Sequence, residues 1–304
     1  MKKFKHRSGF VAILGRPNAG KSTLLNRLVG EKLAIVSDKP QTTRNRILGV
    51  RNYPDAQVVF LDTPGIHRPL HRMNVRMVDA ARDTISEVDI VALVVDATEK
   101  SGRGDKYVFD MIKDVDKPIF LVLNKIDLIK KVRLLPVIEE FSKGGAFAEI
   151  VPVSASTGLN CDRLEKVIID ALPEGPALYP EDYLTDQPER FMASEIIREK
   201  VLQHTHAELP FSSAVVVDRF EEPEGSKGIL RLYCSIVVER ESQKPIVVGR
   251  SGEMIKRIGT AAREELERFF STKVFLDLHV RVKADWREDD RTLHDLGVGR
   301  REDR

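Results

Sequence analysis

The chain has 304 residues, 42% of them hydrophobic and 32% charged, and a formal net charge of +2. That length accommodates two domains, and the composition is that of an ordinary soluble globular protein. The near-neutral balance excludes a bulk electrostatic drive toward nucleic acid or membrane, so any nucleic-acid site must arise from locally placed charge. The two cysteines, Cys161 and Cys234, are far apart with no His or Cys neighbour. They form neither a metal-ligand pattern nor a disulfide framework, which points to a reducing compartment. The basic start Met1–Arg7 leads into the apolar run Gly9–Leu14, too short for a signal-peptide core. No stretch approaches the ~20 apolar residues of a spanning helix, and a cytoplasmic protein is expected.

From Phe10 to about Leu172, short Val/Ile/Leu-rich runs alternate with amphipathic stretches. The runs Phe10–Leu14, Gln57–Asp62, Ile90–Asp96, Ile119–Asn124 and Glu149–Val153 are nearly continuously apolar, as strands covered on both faces are. Helices are expected at Lys21–Val29, Met73–Ser86, Tyr107–Asp114 and Asp162–Ala171, giving a doubly wound α/β domain over residues 1–172. Residues 173–190 hold four prolines without periodicity and read as an inter-domain linker. Over 191–284 the pattern changes. A helix near Phe191–Thr205, strands near Ser213–Phe220 and Gly228–Arg240, two short helices around Gly252–Phe270 and a strand Val274–Lys283 make a small α+β domain of order α-β-β-α-α-β. Residues 285–304 are densely charged, with Trp286 the only aromatic, and read either as a short terminal helix or as a solvated tail.

Gly15-Arg16-Pro17-Asn18-Ala19-Gly20-Lys21-Ser22 has the glycine, lysine and serine spacing of a P-loop, between a buried strand and a helix that continues with Thr23. Such glycines let backbone N–H groups converge on phosphate oxygens at a helix N-terminus. Lys21 supplies a point charge to the terminal phosphates and Ser22 a ligand for Mg²⁺. At the end of the next buried run, Asp62-Thr63-Pro64-Gly65 places an acid for Mg²⁺ and, at Gly65, an N–H for the γ-phosphate. Asn124-Lys125-Ile126-Asp127 ends a further strand. The Asp127 carboxylate accepts from the ring N–H and exocyclic amine of guanine, a pair adenine lacks, and a mismatch there leaves the acid desolvated and unpaired. Asn124 braces that site, the Lys125 stem covers the base, and Ser154-Ala155 brings a small residue and a backbone N–H near the guanine oxygen. Each motif is weak alone. Their order on successive strand ends specifies GTP over ATP.

Between the first two motifs, the polar segment Ser37–Arg44 suits a switch loop whose threonine reaches Mg²⁺ only when the γ-phosphate is present. Thr43, immediately before Arg44, is preferred over Thr42. Lys21, Thr43 and Gly65 are therefore the groups expected to act on the γ-phosphate during hydrolysis. The position after Gly65 is Ile66, whose aliphatic side chain cannot orient water as a glutamine there does. Slow intrinsic turnover is expected, with water positioned by another group, a cation or a partner. His67, Arg68 and His71 are nearby polar candidates, more simply read as exposed switch residues.

In the second half, Ile246–Gly259 places Gly249-Arg250-Ser251-Gly252 between an apolar, strand-like run and a helix, with Gly259 between two helices. KH domains use such a GxxG loop to clamp a few nucleotides of single-stranded RNA by their backbone. The two glycines permit close approach, and Arg250 can meet a phosphate. Arg240, Lys244, Arg250, Lys256 and Arg257 outweigh Glu241 and Glu253 around the loop.

Over nearly its whole length the sequence resembles the Era family of bacterial ribosome-assembly GTPases, TRAFAC-class P-loop proteins with a C-terminal type II KH domain. The resemblance rests on Gly15–Ser22, Lys39–Arg44, Asp62–His67 with Pro69, Asn124–Asp127, Ser154-Ala155, Glu239–Gly252 and Val282–Arg291. It implies GTP and GDP as ligands with Mg²⁺, and RNA contacts through Gly249, Arg250, Ser251, Gly252 and Lys256. It further implies the 3′ end of small-subunit ribosomal RNA as partner and a role in small-subunit assembly and rRNA processing. Asn18 matches the P-loop asparagine that helps hold a potassium ion in related enzymes. Peripheral association with the inner face of the cell membrane is a family property that nothing in the sequence requires, and a monomer is expected. Two other readings are an RNA-binding scaffold stabilised by GTP and a GTPase of tRNA modification or large-subunit assembly. The lack of a helical insertion or second nucleotide domain counts against the latter.

Overall fold

A computed structural model describes residues 6–298 except 100–102, 145–146, 206–208, 224 and 226–227. The basic residues 1–5 and the tail end 299–304 lie outside the described residues.

The first half runs β1 (Arg7–Gly15), α1 (Lys21–Val29), β2 (Ile47–Tyr53), β3 (Ala56–Asp62), α2 (Arg72–Glu87), β4 (Ile90–Asp96), α3 (Arg103–Ile112), β5 (Ile119–Asn124), α4 (Lys131–Gly144), β6 (Glu149–Pro152) and α5 (Cys161–Ala171). The strands form one sheet in the order β2-β3-β1-β4-β5-β6. Side chains alternate across it, as the pleat requires. Val11 and Ile13 enter one core with Leu24, Leu25 and Leu164 of α1 and α5, while Ala12 and Leu14 enter the other with Ala81, Val108 and Phe141 of α2, α3 and α4. Both faces are covered, hence the continuous apolar runs. The five expected strands and four expected helices are present, with ends displaced by a few residues.

Two elements escaped the periodicity. β2 pairs antiparallel with β3 across the turn Pro54-Asp55, so the sheet is mixed, and the polar half Arg51-Asn52-Tyr53 conceals the strand. α4 carries Pro136 in its interior, which weakens a helical reading of its sequence. The proline-rich linker is not loose. It lies along the outer edge of β2, where Leu184 O accepts from Val50 N–H at 2.9 Å and Thr185 Oγ1 donates to Leu48 O at 2.6 Å. An exposed strand edge is thereby covered.

The second half comprises α6 (Glu189–His204), α7 (Leu209–Ser212), β7 (Ala214–Glu221), β8 (Ile229–Val238), α8 (Lys244–Val248), α9 (Glu253–Phe270), β9 (Lys273–Val282) and α10 (Asp290–Asp295). β8 pairs antiparallel with β7 and parallel with β9. Ile197 and Val201 of α6 and Ile258 and Leu266 of α9 pack on Leu232, Cys234 and Ile236. Two expectations need correction. The apolar run Ile246–Val248 is helical, closing α8, and not strand-like. Gly259 does not separate two short helices but lies inside the single 18-residue helix α9. A Cβ at Gly259 would sit in ordinary contact, 3.4 Å from Leu278 Cδ1, so space does not require glycine at this position.

The charged segment after β9 is not a solvated tail. Trp286 is fully buried with Leu293 and Val298 against Met73 and Met77 of α2 and Ala214 and Val237 of the second sheet. Its indole N–H donates to Ser212 O at 3.0 Å. This cluster joins the two halves. Among the described residues no helix is long and apolar enough to cross a membrane. Trp286→Ala removes the largest buried side chain at the junction and is expected to cost about 3–5 kcal/mol. Denaturant unfolding followed by circular dichroism checks it; a loss below about 1 kcal/mol contradicts the packing described.

Candidate functional site

The P-loop turns from β1 into α1 through Gly15 and Gly20. Gly20 caps α1 with φ of 92°, and a Cβ there would lie 2.2 Å from Asn124 Nδ2, so no other residue fits. Lys21 is buried, its ammonium donating to Arg16 O at 3.0 Å. Burial lowers its pKa, and the nearby Asp62 charge opposes that shift. The Arg16 guanidinium pairs with Asp105 at 3.1 Å and Glu99 at 3.2 Å. Pro17 packs so closely on Gly65 that a Cβ at Gly65 would lie 2.8 Å from it.

Three side-chain oxygens meet at the mouth of this loop. Ser22 Oγ lies 2.7 Å from Thr43 Oγ1 and 2.8 Å from Asp62 Oδ2, and Thr43 Oγ1 lies 3.4 Å from Asp62 Oδ2. Asp62 Oδ1 is buried with no hydrogen-bond partner among the described residues. Burial pushes the Asp62 carboxyl up to about 6, against the pull of Lys21 and the two hydroxyls. A buried carboxylate with an open lone pair beside two hydroxyl oxygens fits a hard divalent cation. Thr42 is excluded from the cluster, as its hydroxyl donates to Lys39 O at 2.6 Å. An open cleft of about 310 Å³ extends from here past Asn18, Thr23 and Asp38 to Lys125.

At the base end, Asn124 clamps two segments: its amide donates to Ala19 O at 2.8 Å and its carbonyl accepts from Ala155 N–H at 3.0 Å. The Ala155 N–H expected to face guanine is thus engaged by Asn124. Ser154 is fully buried behind it. Asp127 is exposed, and among the described residues its carboxylate has no partner. Sequence reading overlooked two supports. Asp96 at the end of β4 pairs with Lys125 at 2.6 Å, and Arg27 donates to Ala155 O at 3.1 Å and Ser156 O at 2.7 Å. An acid ending β4, as Asp62 ends β3, was the available signal for the first; Arg27 left none.

Not every expected residue turns toward the cleft. Thr63 is fully buried and its hydroxyl donates to Ile13 O at 2.9 Å, so its side chain serves the sheet, and Pro64 is buried beside it. The Ile66 side chain enters the core, and its N–H donates to Gly15 O at 3.0 Å. Asn18 Nδ2 donates to Asp38 O at 2.8 Å, tying the P-loop to the switch loop. His67 lies within 3.3 Å of Gln41 Nε2, whereas His71 is drawn to Glu288 at 2.9 Å.

In the second half, Gly249 and Gly252 have φ of 76° and 80°, and Ser251 φ of 52°. A Cβ at Gly249 would lie 2.6 Å from Met254 Cβ, while one at Gly252 would meet nothing within 4 Å. The loop is therefore pinned at its first glycine and open at its second, with Arg250, Ser251 and Lys256 exposed around it.

Fold and site together define a P-loop GTPase joined to a KH domain. Residues 10–125 match a family model described as 50S ribosome-binding GTPase, and residues 208–287 match the KH domain. The chain is 52% identical to GTPase Era of Geobacter metallireducens over 96% of its own length and 97% of that protein's. It is 49% identical to GTPase Era of Lacticaseibacillus paracasei over 96% and 97%. The chain belongs to the Era family of GTPases. It is also similar to the crystal structure of Era in complex with MgGDPNP and nucleotides 1506–1542 of 16S ribosomal RNA, at 43% identity and a TM-score of 0.93 over 96% of this chain and 99% of that one. An Aquifex aeolicus Era variant bound to GDP and tetrafluoroaluminate is 42% identical with a TM-score of 0.91, at the same coverage.

Asp127→Asn removes the charge and replaces one of the two acceptor oxygens facing the guanine edge with a donor, without touching the phosphate cradle. Competition binding of GTP against ATP should show guanine preference falling about 10- to 100-fold. Undiminished preference would transfer base recognition to another group.

Proposed function

We propose that this protein binds and hydrolyses GTP with Mg²⁺ and, through its KH domain, binds the 3′ end of small-subunit ribosomal RNA during small-subunit assembly and rRNA processing. The observation that carries the nucleotide half is the convergence of Ser22, Thr43 and Asp62 oxygens at the P-loop mouth. Lys21 holds the terminal phosphates, the backbone N–H groups of the loop from Asn18 to Ser22 with Thr23 cradle them, Gly15, Arg16 and Pro17 shape the loop's start, and Gly65 offers its N–H to the γ-phosphate. Ser22, Thr43 and Asp62 would hold the Mg²⁺, which when bound neutralises charge developing on the phosphates. Asn124, Lys125, Asp127, Ser154 and Ala155 form the guanine end.

Hydrolysis is slow without help, since Ile66 is committed to the core and its N–H to Gly15 O. The RNA half is supported by the open Gly252 and the exposed Arg250, Ser251 and Lys256, and by the RNA bound in the solved Era complex. That complex, together with the KH module, favours the small over the large subunit.

Crosslinking the protein to cellular RNA and mapping the contacted nucleotides tests the partner: contacts at the 3′ end of the small-subunit RNA are expected, and contacts confined to large-subunit or transfer RNA overturn it. Gly252→Asp meets no neighbour within 4 Å, and Asp tolerates the left-handed backbone there better than most residues at a small strain cost, but it puts a carboxylate where a phosphate backbone must approach. RNA affinity should fall at least about tenfold, with GTP affinity unchanged. An equal loss of both would mean misfolding and remove the site assignment.

A further inference from the structure

The switch loop that carries Thr43 has no regular secondary structure between Val36 and Arg46, so no backbone ladder fixes the threonine hydroxyl near Ser22 and Asp62. Asn18 and His67 of the nucleotide domain touch the loop at Asp38 and Gln41, but the two residues that flank Thr43 are held from the KH half. On one side of Thr43, the Thr42 carbonyl accepts from Arg198 Nη2 on α6. On the other, the Arg44 guanidinium leaves the nucleotide domain altogether. It donates to Ser213 O at 2.7 Å and Phe211 O at 3.3 Å and lies over the Trp286 ring at 5.5 Å. Upstream, Val36 N–H donates to Glu199 Oε1 at 2.8 Å, and Lys32 bridges Glu199 and Glu265.

Arg198 is the informative member of this set. It is 2% exposed, forked onto Glu195 of its own helix at 2.7 and 2.6 Å. A buried ion pair is weak evidence for stability, because desolvation offsets most of the attraction, and Nη1 is left buried without a partner among the described residues. What the buried guanidinium reaches across the domain junction is one atom, the carbonyl of the residue before Thr43. Its geometry suits a clamp on the loop better than general adhesion between domains.

We propose that Arg198 is a positioning residue for the Mg²⁺-ligating threonine: the KH domain, through Arg198 and with Arg44 as the reciprocal anchor, holds Thr43 at the nucleotide site. Thr43 ordering and KH docking are then one equilibrium. A nucleotide that engages Thr43 favours the docked arrangement, and undocking withdraws a ligand from the metal. This rests on the GTP reading of the cleft.

The test is the split between two nucleotides. A threonine that reaches the metal only with the γ-phosphate present contributes to binding of a GTP analogue and not of GDP. Arg198→Ala should weaken Mg²⁺-dependent binding of a non-hydrolysable GTP analogue about tenfold, as loss of a charged hydrogen bond does, and leave GDP affinity within about twofold. Since that variant strands Glu195, the double variant Glu195→Gln with Arg198→Met removes both charges together and should show the same split. Arg198→Lys, which keeps a charged donor, should restore much of the analogue affinity. An adhesive role would move both nucleotides equally or neither, and either result overturns the proposal. Failure of the unaltered protein to bind either nucleotide would instead sink the GTP reading itself.

Discussion

Thr43 stands where two holding systems meet. Toward the nucleotide domain its hydroxyl joins Ser22 and Asp62 at 2.7 and 3.4 Å. Toward the KH domain its two neighbours in sequence are bound, Thr42 by Arg198 and Arg44 by Ser213, Phe211 and the Trp286 ring. The rest of the molecule arranges itself around this constraint. The doubly wound sheet delivers Asp62 and the P-loop to one edge, α6 delivers Arg198, and the segment after β9 delivers Trp286 as a buried platform. α2, which follows the Asp62–Gly65 loop, is tied to the same junction, since Met73 and Met77 share a core with Leu293 and Val298. Both the loop that carries Thr43 and the helix after Gly65 thus make contacts across the junction.

The nucleotide cleft was legible in the sequence because its requirements are local. Gly20 must adopt positive φ and clear Asn124, Lys21 must reach the phosphates, and each motif closes a strand that its own apolar run betrays. The parallel strands were equally plain, being buried on both faces. What hid was whatever depends on tertiary partners. β2 is an edge strand with a polar half, and α8 carries a Val/Ile run that reads as β until packing makes it helical. Gly259 looks like a helix break but lies inside α9, since one interior glycine costs a packed helix only about 1 kcal/mol. Trp286 in a charged stretch signalled that something nearby must be buried, without saying against what. The partners of Arg44 and Arg198 were not legible, because a carbonyl acceptor on another domain leaves no mark in sequence.

Ile66 gives the enzyme its temper. With that side chain in the core and the backbone N–H on Gly15 O, no group at this position orients water. The GxxG loop stands at the start of α9. Glu265 of that same helix contacts Lys32, just ahead of the switch loop, so the loop and the helix that bears the RNA site share one contact region.

If Thr43 ordering and KH docking are one equilibrium, as proposed, nucleotide state and RNA binding at the KH domain are coupled as well. That coupling is tested most directly by titrating a single-stranded RNA matching the 3′ end of small-subunit ribosomal RNA into the protein loaded with GTP analogue, with GDP, or with neither. The analogue-loaded protein should bind RNA more tightly than the GDP form, and RNA should raise analogue affinity over GDP affinity by the same factor, as linkage demands. Equal RNA affinity in all three states would contradict the account and leave GTP as a stabilising ligand of an RNA-binding scaffold.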